Sequence, residues 1–185
     1  PTCLDRVERL QSLGPLSMYR WARAQGAGGQ VFNILVHAQN DIVSQHLLAS
    51  GKWEGDHLAA VEQYHLRQGR DVPLAKAYLD IGGNIGYFTL IAASHGYQVT
   101  TIEAMQRNAY MINVSLCANP TLAPRVTLHN AGVSEKPGKC IIISGAANRA
   151  DGVLRCDIAD PADFKQPGYS VRGVVGITTL DKLLK

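Results

Sequence analysis

The chain has 185 residues, enough for one domain with a real core. Hydrophobic residues make up 46% and charged residues 18%, ordinary for a globular protein, and the formal net charge of +3 is a mild cationic bias. No Lys/Arg run has the density of a nucleic-acid footprint and no apolar run approaches the ~20 residues that span a bilayer, so neither partner is indicated.

In chain order, Leu4, Val7, Leu10 and Leu13 have helical spacing, and Gly14-Pro15 ends that helix. Ala27-Gly28-Gly29 marks a turn, and Val31–Val36 is rich in β-formers and reads as a strand. Asp41 caps a helix through Val43, Leu47 and Leu48 that Gly51 stops. A second helix is expected over Glu54–Gln68, on Leu58, Val61 and Leu66. These elements form an N-terminal accessory α/β layer, residues 1–74.

From residue 75 strands and helices alternate. Ala75–Ile81 is a strand, Gly82–Gly86 a glycine-rich turn and Tyr87–His95 a helix. Gln98–Glu103 is the next strand, Arg107–Ala118 a helix closed by Asn119-Pro120, and Arg125–Asn130 a third strand. Two successive strand–turn–helix units imply a parallel sheet with helices on both faces, a Rossmann-like α/β fold. Cys140–Ser144 and Arg172–Ile177 read as further strands around a polar stretch, and Thr178–Leu184 starts a helix. That ending reads as a sheet incomplete at its C-terminus, so residues 75–185 are expected to be a truncated domain.

The cysteines at 3, 117, 140 and 156 form no CxxC pair and have no His at ligand spacing, so no metal site is expected. They read as small buried hydrophobes, with a disulfide left open. The N-terminus lacks the zones of a signal peptide, although Pro1 in place of Met suggests that something upstream has been removed. A soluble domain is expected, with the cytoplasm favoured.

The run Asp80-Ile81-Gly82-Gly83-Asn84-Ile85-Gly86 lies where a strand ends and a helix begins, the edge at which open α/β sheets bind ligands. Gly82 and Gly86 let the backbone turn sharply, and the following helix offers free N–H groups and a positive dipole end suited to a carboxylate. A dinucleotide-binding GxGxxG would need Gly at 84 and 87, where Asn84 and Tyr87 stand. A carboxylate at Asp80 would also repel a pyrophosphate, whereas a ligand with ammonium and sulfonium charges tolerates it. Glu103 ends the next strand, 23 residues after Asp80, where an acidic side chain accepts both hydrogen bonds of a ribose diol.

Asp80 through Phe88, followed by Thr101-Ile102-Glu103-Ala104, resembles motif I and its acidic follow-on in class I S-adenosylmethionine-dependent methyltransferases. More narrowly, Asp-Ile-Gly-Gly-Asn-Ile-Gly-Tyr-Phe is similar to the FkbM family. Trp53-Glu54, Asn130-Ala131-Gly132-Val133-Ser134 and Thr179–Leu184 add weaker matches. Ala104 departs from the Pro usual there, and the Asp-x-Glu-Gly strand of the family lies outside these 185 residues.

The resemblance implies S-adenosylmethionine as cofactor, with Asp80, Gly82, Gly83, Asn84, Gly86, Tyr87, Glu103, Ala104, Asn130 and Ala131 around it. The last two would border the adenine ring. It also implies O-methylation of a small-molecule or glycan hydroxyl. Two alternatives stay open: a cofactor-binding interaction domain without turnover, and an NAD-dependent oxidoreductase. Glu54, Asp151 and Asp157 read most simply as solvated. Phe88 reads as core, and His129 is the best-placed base although a structural role suits it better. No catalytic residue is named.

Overall fold

The structure, a computed structural model, describes residues 2–26, 29–54, 76–158 and 160–184. The helix expected over 54–68 therefore lies outside the described residues, apart from Glu54. The expected 27–29 turn is described only at Gly29.

Helix α1 (Cys3–Gln11) starts at Thr2 in a reciprocal cap: Asp5 N–H donates to Thr2 Oγ1 (3.2 Å) and Thr2 N–H to Asp5 Oδ2 (2.7 Å). Strands β1 (Tyr19–Gln25) and β2 (Val31–His37) pair antiparallel from Tyr19↔His37 to Gln25↔Val31. β1 is absent from the sequence reading because Arg20, Ala22, Arg23 and Ala24 are poor β-formers; pairing with β2 overrides that propensity. Helix α2 (Ile42–Ser50) is capped as expected, with Ser44 N–H donating to Asp41 Oδ2 (2.8 Å) and Gly51 closing it in the left-handed region.

The central sheet has order β3-β4-β5, formed by β3 (Ala77–Ile81), β4 (Gln98–Ile102) and β5 (Val126–His129), all parallel. Helix α3 (Tyr87–Ser94) connects β3 to β4, and α4 (Gln106–Cys117) connects β4 to β5. Both expected strand–turn–helix units are present, and the chain is a Rossmann-like α/β fold. Side chains at the end of α4 satisfy the backbone of β2: Leu35 N–H donates to Ser115 Oγ (2.9 Å), and Asn119 exchanges hydrogen bonds with Asn33. Leu10, Ile34 and Leu47 consequently share one core with Leu90, Val99 and Met111.

The two further strands expected, Cys140–Ser144 and Arg172–Ile177, are present within a separate sheet. Strands β6 (Gly132–Val133), β7 (Gly138–Gly145), β8 (Val153–Arg155) and β9 (Tyr169–Thr178) form a second sheet of order β6-β9-β7-β8. Here β7 runs antiparallel to both neighbours, and Cys140, Ile142, Val175 and Ile177 pack on Met105 in a core of their own. The last helix, α5 (Leu180–Leu183), is a single turn. Among the described residues no helix is long and apolar enough to cross a membrane.

All four cysteines are bonded, which corrects their reading as small buried hydrophobes and realises the disulfide alternative left open by the sequence. Cys3–Cys117 ties α1 to the end of α4 across 114 residues, and Cys140–Cys156 ties β7 to the segment after β8 across 16. Sequence spacing could not reveal either, because each pair meets only through packing or strand pairing. Their Cα–Cα separations of 5.7 and 4.3 Å lie close to the usual disulfide range. Closing the longer loop removes the more unfolded-chain entropy, so Cys3→Ser should cost about 2–5 kcal/mol. Urea unfolding with and without a reductant checks this: the reductant should lower the midpoint of the wild type.

Candidate functional site

The glycine-rich turn is built by the end of β4. Gly82 and Gly83 N–H both donate to the Ile102 carbonyl (2.8 and 3.2 Å), which swings the chain across the strand end. Gly86 caps α3 at φ 94°, and a Cβ there would lie 2.9 Å from Ile112 Cγ1. Gly83 lies so close to Thr101 that an added Cβ would collide with its Cγ2. Asn84 sits at φ 51°, a conformation Asn tolerates better than most residues, and its Oδ1 accepts from Ile85 N–H (2.6 Å).

Glu103 ties this turn to the next connection. Its Oε2 accepts Asn84 N–H and its Oε1 accepts Met105 N–H, both at 2.7 Å. The Asn108 side chain also interacts with this carboxylate, and a carboxylate has about four acceptor positions in all, so part of its acceptor capacity stays open. Burial raises its pKa to about 7; the two backbone N–H groups work against that, and the charge of Asp80 adds to it. Asn130 Nδ2 donates to the Glu103 and Ala104 carbonyls (2.9 and 3.1 Å), pinning that connection to the end of β5. His129 takes part through its backbone, accepting Glu103 N–H (2.9 Å).

Asp80 is buried under the turn, and its Oδ2 accepts Thr89 Oγ1–H (2.6 Å). With Asp80 ionised, the single Thr89 proton is committed there, so Thr101 is the donor in the 2.9 Å contact between the two hydroxyls. Burial raises the pKa of Asp80, opposed by the Thr89 hydrogen bonds.

Above the turn is a cavity of about 340 Å3. Gly82, Gly83, Asn84, Ile85, Tyr87 and Phe88 form one wall, Ile42, Val43, Trp53 and Glu54 a second, and Asn148 and Asp151 a third. Of the expected site residues the lining therefore includes Gly82, Gly83, Asn84 and Tyr87. Asp80 and Glu103 are buried behind the turn, and Ala104, Asn130 and Ala131 lie at the β4 and β5 ends.

The wall at Asn148 and Asp151 was missed by sequence reasoning, which left Asp151 as a solvated loop residue. Asn84 Nδ2 and Asn108 Nδ2 donate to the Ala150 carbonyl (3.4 and 2.9 Å), drawing loop 146–152 over the turn. Glu54 also faces the cavity and not bulk solvent alone, and Phe88 both packs on the core and lines it. Asp157 is exposed and paired with Arg155 (2.7 Å). Among the described residues no group of three His, Cys, Asp or Glu side chains can hold a metal.

Two pH effects of opposite sign meet here. Glu103 has a raised folded pKa, so its contribution to stability is complete below about 4.5 and lost as pH rises through about 7. His37, buried beside α2, is held down to about 4 by burial against the pull of Asp41, so its contribution is complete above 6.5 and lost as pH falls toward 4. The unfolding free energy of the wild type relative to Glu103→Gln should fall by up to roughly 3 kcal/mol between pH 4.5 and 7. Chemical denaturation across that range measures it, and a difference that does not vary with pH would refute the assignment. Gly83→Ala, which overpacks Thr101, should cost about 1–3 kcal/mol in the same assay.

No protein-family model and no curated protein matches the chain. Among solved structures it is similar to the glycopeptide N-methyltransferase MtfA complexed with sinefungin, at 21% identity and a TM-score of 0.33. That match covers 45% of this chain and 36% of the other. A second structure of MtfA matches at 20% identity and a TM-score of 0.34, over 46% of this chain and 38% of that one. The chain thus spans well under half the length of these neighbours, and its fold assignment rests on its own strand order.

Proposed function

We propose that this chain binds S-adenosylmethionine on the β3–α3 turn and serves as a methyltransferase domain of the FkbM type. The observation that carries the reading is the Glu103 carboxylate. It closes the end of β4, is fastened to the glycine-rich turn through Asn84 N–H, and has acceptor capacity beyond its two backbone donors that a diol could use. The cavity suits a ligand of that size, since small-molecule sites start at ~300 Å3. A dinucleotide fits the turn poorly, with Asn84 and Tyr87 where its second and third glycines belong.

When bound, the cofactor supplies a methyl group activated by a sulfonium charge. The chain orients it and excludes water. Glu103 would accept the ribose hydroxyls, Gly82 and Gly83 would let the backbone approach the ligand, and the N-terminal end of α3 would face its carboxylate. Asp80 would act from beneath by holding Thr89 and Thr101 against the turn, and its charge favours a cationic ligand over a pyrophosphate. Ala104, Asn130 and Ala131 would shape the adenine end. Trp53, Tyr87 and Phe88 make the cavity apolar enough to desolvate a reacting hydroxyl. The acceptor class we infer is a small-molecule or glycan hydroxyl, on the FkbM resemblance of residues 80–88.

Titration with S-adenosylhomocysteine and with NAD tests the reading, and tight NAD binding without the former would overturn it. Glu103→Gln should weaken S-adenosylhomocysteine by about 1–3 kcal/mol, as expected for a lost charged hydrogen bond. Because the ionised carboxylate is the better acceptor, wild-type affinity should rise as pH passes through about 7 and level off above it. Calorimetric titration at several pH values checks both.

A further inference from the structure

On the far side of loop 146–152 lies a second, smaller cavity of about 150 Å3, lined by Met105, Arg107, Arg149, Val171 and Arg172. Its three guanidiniums come from three elements: α4, the loop and β9. Among the described residues no carboxylate pairs with any of them. We infer that this cavity is a binding site for a tetrahedral oxyanion, phosphate or sulfate, either free or as the ester group of a larger molecule.

Two of the three guanidiniums are fixed by their own hydrogen bonds and the backbone of the third is fixed by Ser144, which argues against chance surface crowding. Arg107 Nη2 donates to the Leu13 carbonyl and Nη1 lies 3.7 Å from Met18 Sδ. Arg172 Nε donates to Ser144 Oγ (2.7 Å) and Nη2 to the Gly145 carbonyl (3.4 Å). Ser144 in turn donates to the Arg149 carbonyl (2.9 Å), so one hydroxyl positions the second and third arginines together. The Arg149 guanidinium itself has no hydrogen-bond partner among the described residues, leaving its donors available.

Gathering like charges is unfavourable, and the pKa of Arg172 is lowered by burial and by the charges of Arg149 and Arg107. An anion relieves that cost, and guanidinium forks match the edges of phosphate or sulfate. Nearby, the Tyr19 hydroxyl is buried without a described partner and feels the charges of Arg107 and Arg149. The volume suits a group of a few heavy atoms and is too small for a whole nucleotide.

The test is calorimetric titration of the cofactor-free chain with inorganic phosphate, sodium sulfate and phenyl phosphate at constant low ionic strength, with chloride as the control. Saturable binding tighter than roughly 1 mM is expected for an oxyanion and not for chloride. Arg149→Gln and Arg172→Gln should each weaken it about tenfold or more. Arg9→Gln, on an exposed face of α1, should leave it unchanged. Should Arg172→Gln not fold, Arg149→Gln still decides, because that side chain holds up no other described group. Tighter phenyl phosphate assigns the oxyanion to a substituent, and tighter inorganic phosphate to the free ion. No saturable binding, or full affinity in both arginine variants, would overturn the site. Because no cofactor is present, the outcome is independent of the methyltransferase reading.

Discussion

The turn, the strand ends and the cavity all depend on how one buried carboxylate distributes its lone pairs. Glu103 takes the N–H of Asn84 from the β3–α3 turn and the N–H of Met105 from the start of α4. Two connections that would otherwise carry orphan donors are thereby fastened to one side chain, at the carboxyl edge of the parallel sheet. Burying that charge is costly, which is why its pKa rises toward neutrality, and the two N–H donors offset only part of the cost.

The second sheet gives the site its outer wall. β7 and β8 hold the loop between them over the turn, where Ala150 accepts from Asn84 and Asn108. The same loop carries Asn148 and Asp151 toward the large cavity and Arg149 toward the small one. A single seven-stranded sheet would have left no such wall; the separate sheet, packed through Met105, places it. Cys140–Cys156 reinforces the β7–β8 arm, and Cys3–Cys117 reinforces the opposite side, where α1 lies on α4.

Charge is organised differently in the two cavities. Under the large one, Asp80 and Glu103 are buried acids whose ionisation is discouraged by burial and, for Glu103, also by the charge of Asp80. In the small one, three arginines line a common cavity, with no described counter-charge. Loop 146–152 separates the two.

Much of the parallel unit was legible in the sequence. Asp80–Phe88 and Glu103 combine short-range signals: a strand end, left-handed positions that only Gly or Asn fill comfortably, and a helix start. The capping of α2 by Asp41 and Gly51 was legible for the same reason. Tertiary structure alone decided the pairing of the four cysteines, the strand character of Tyr19–Gln25, the departure of β6–β9 into their own sheet, and the position of Asp151 and Arg149 on cavity walls. Each depends on a partner outside the local pattern: the paired strand β2 for the poor β-formers of β1, α4 for Cys3, Asn84 for Ala150. Local patterns specify turns and caps because their hydrogen bonds close within a few residues, whereas those long-range contacts exist only once the chain has packed.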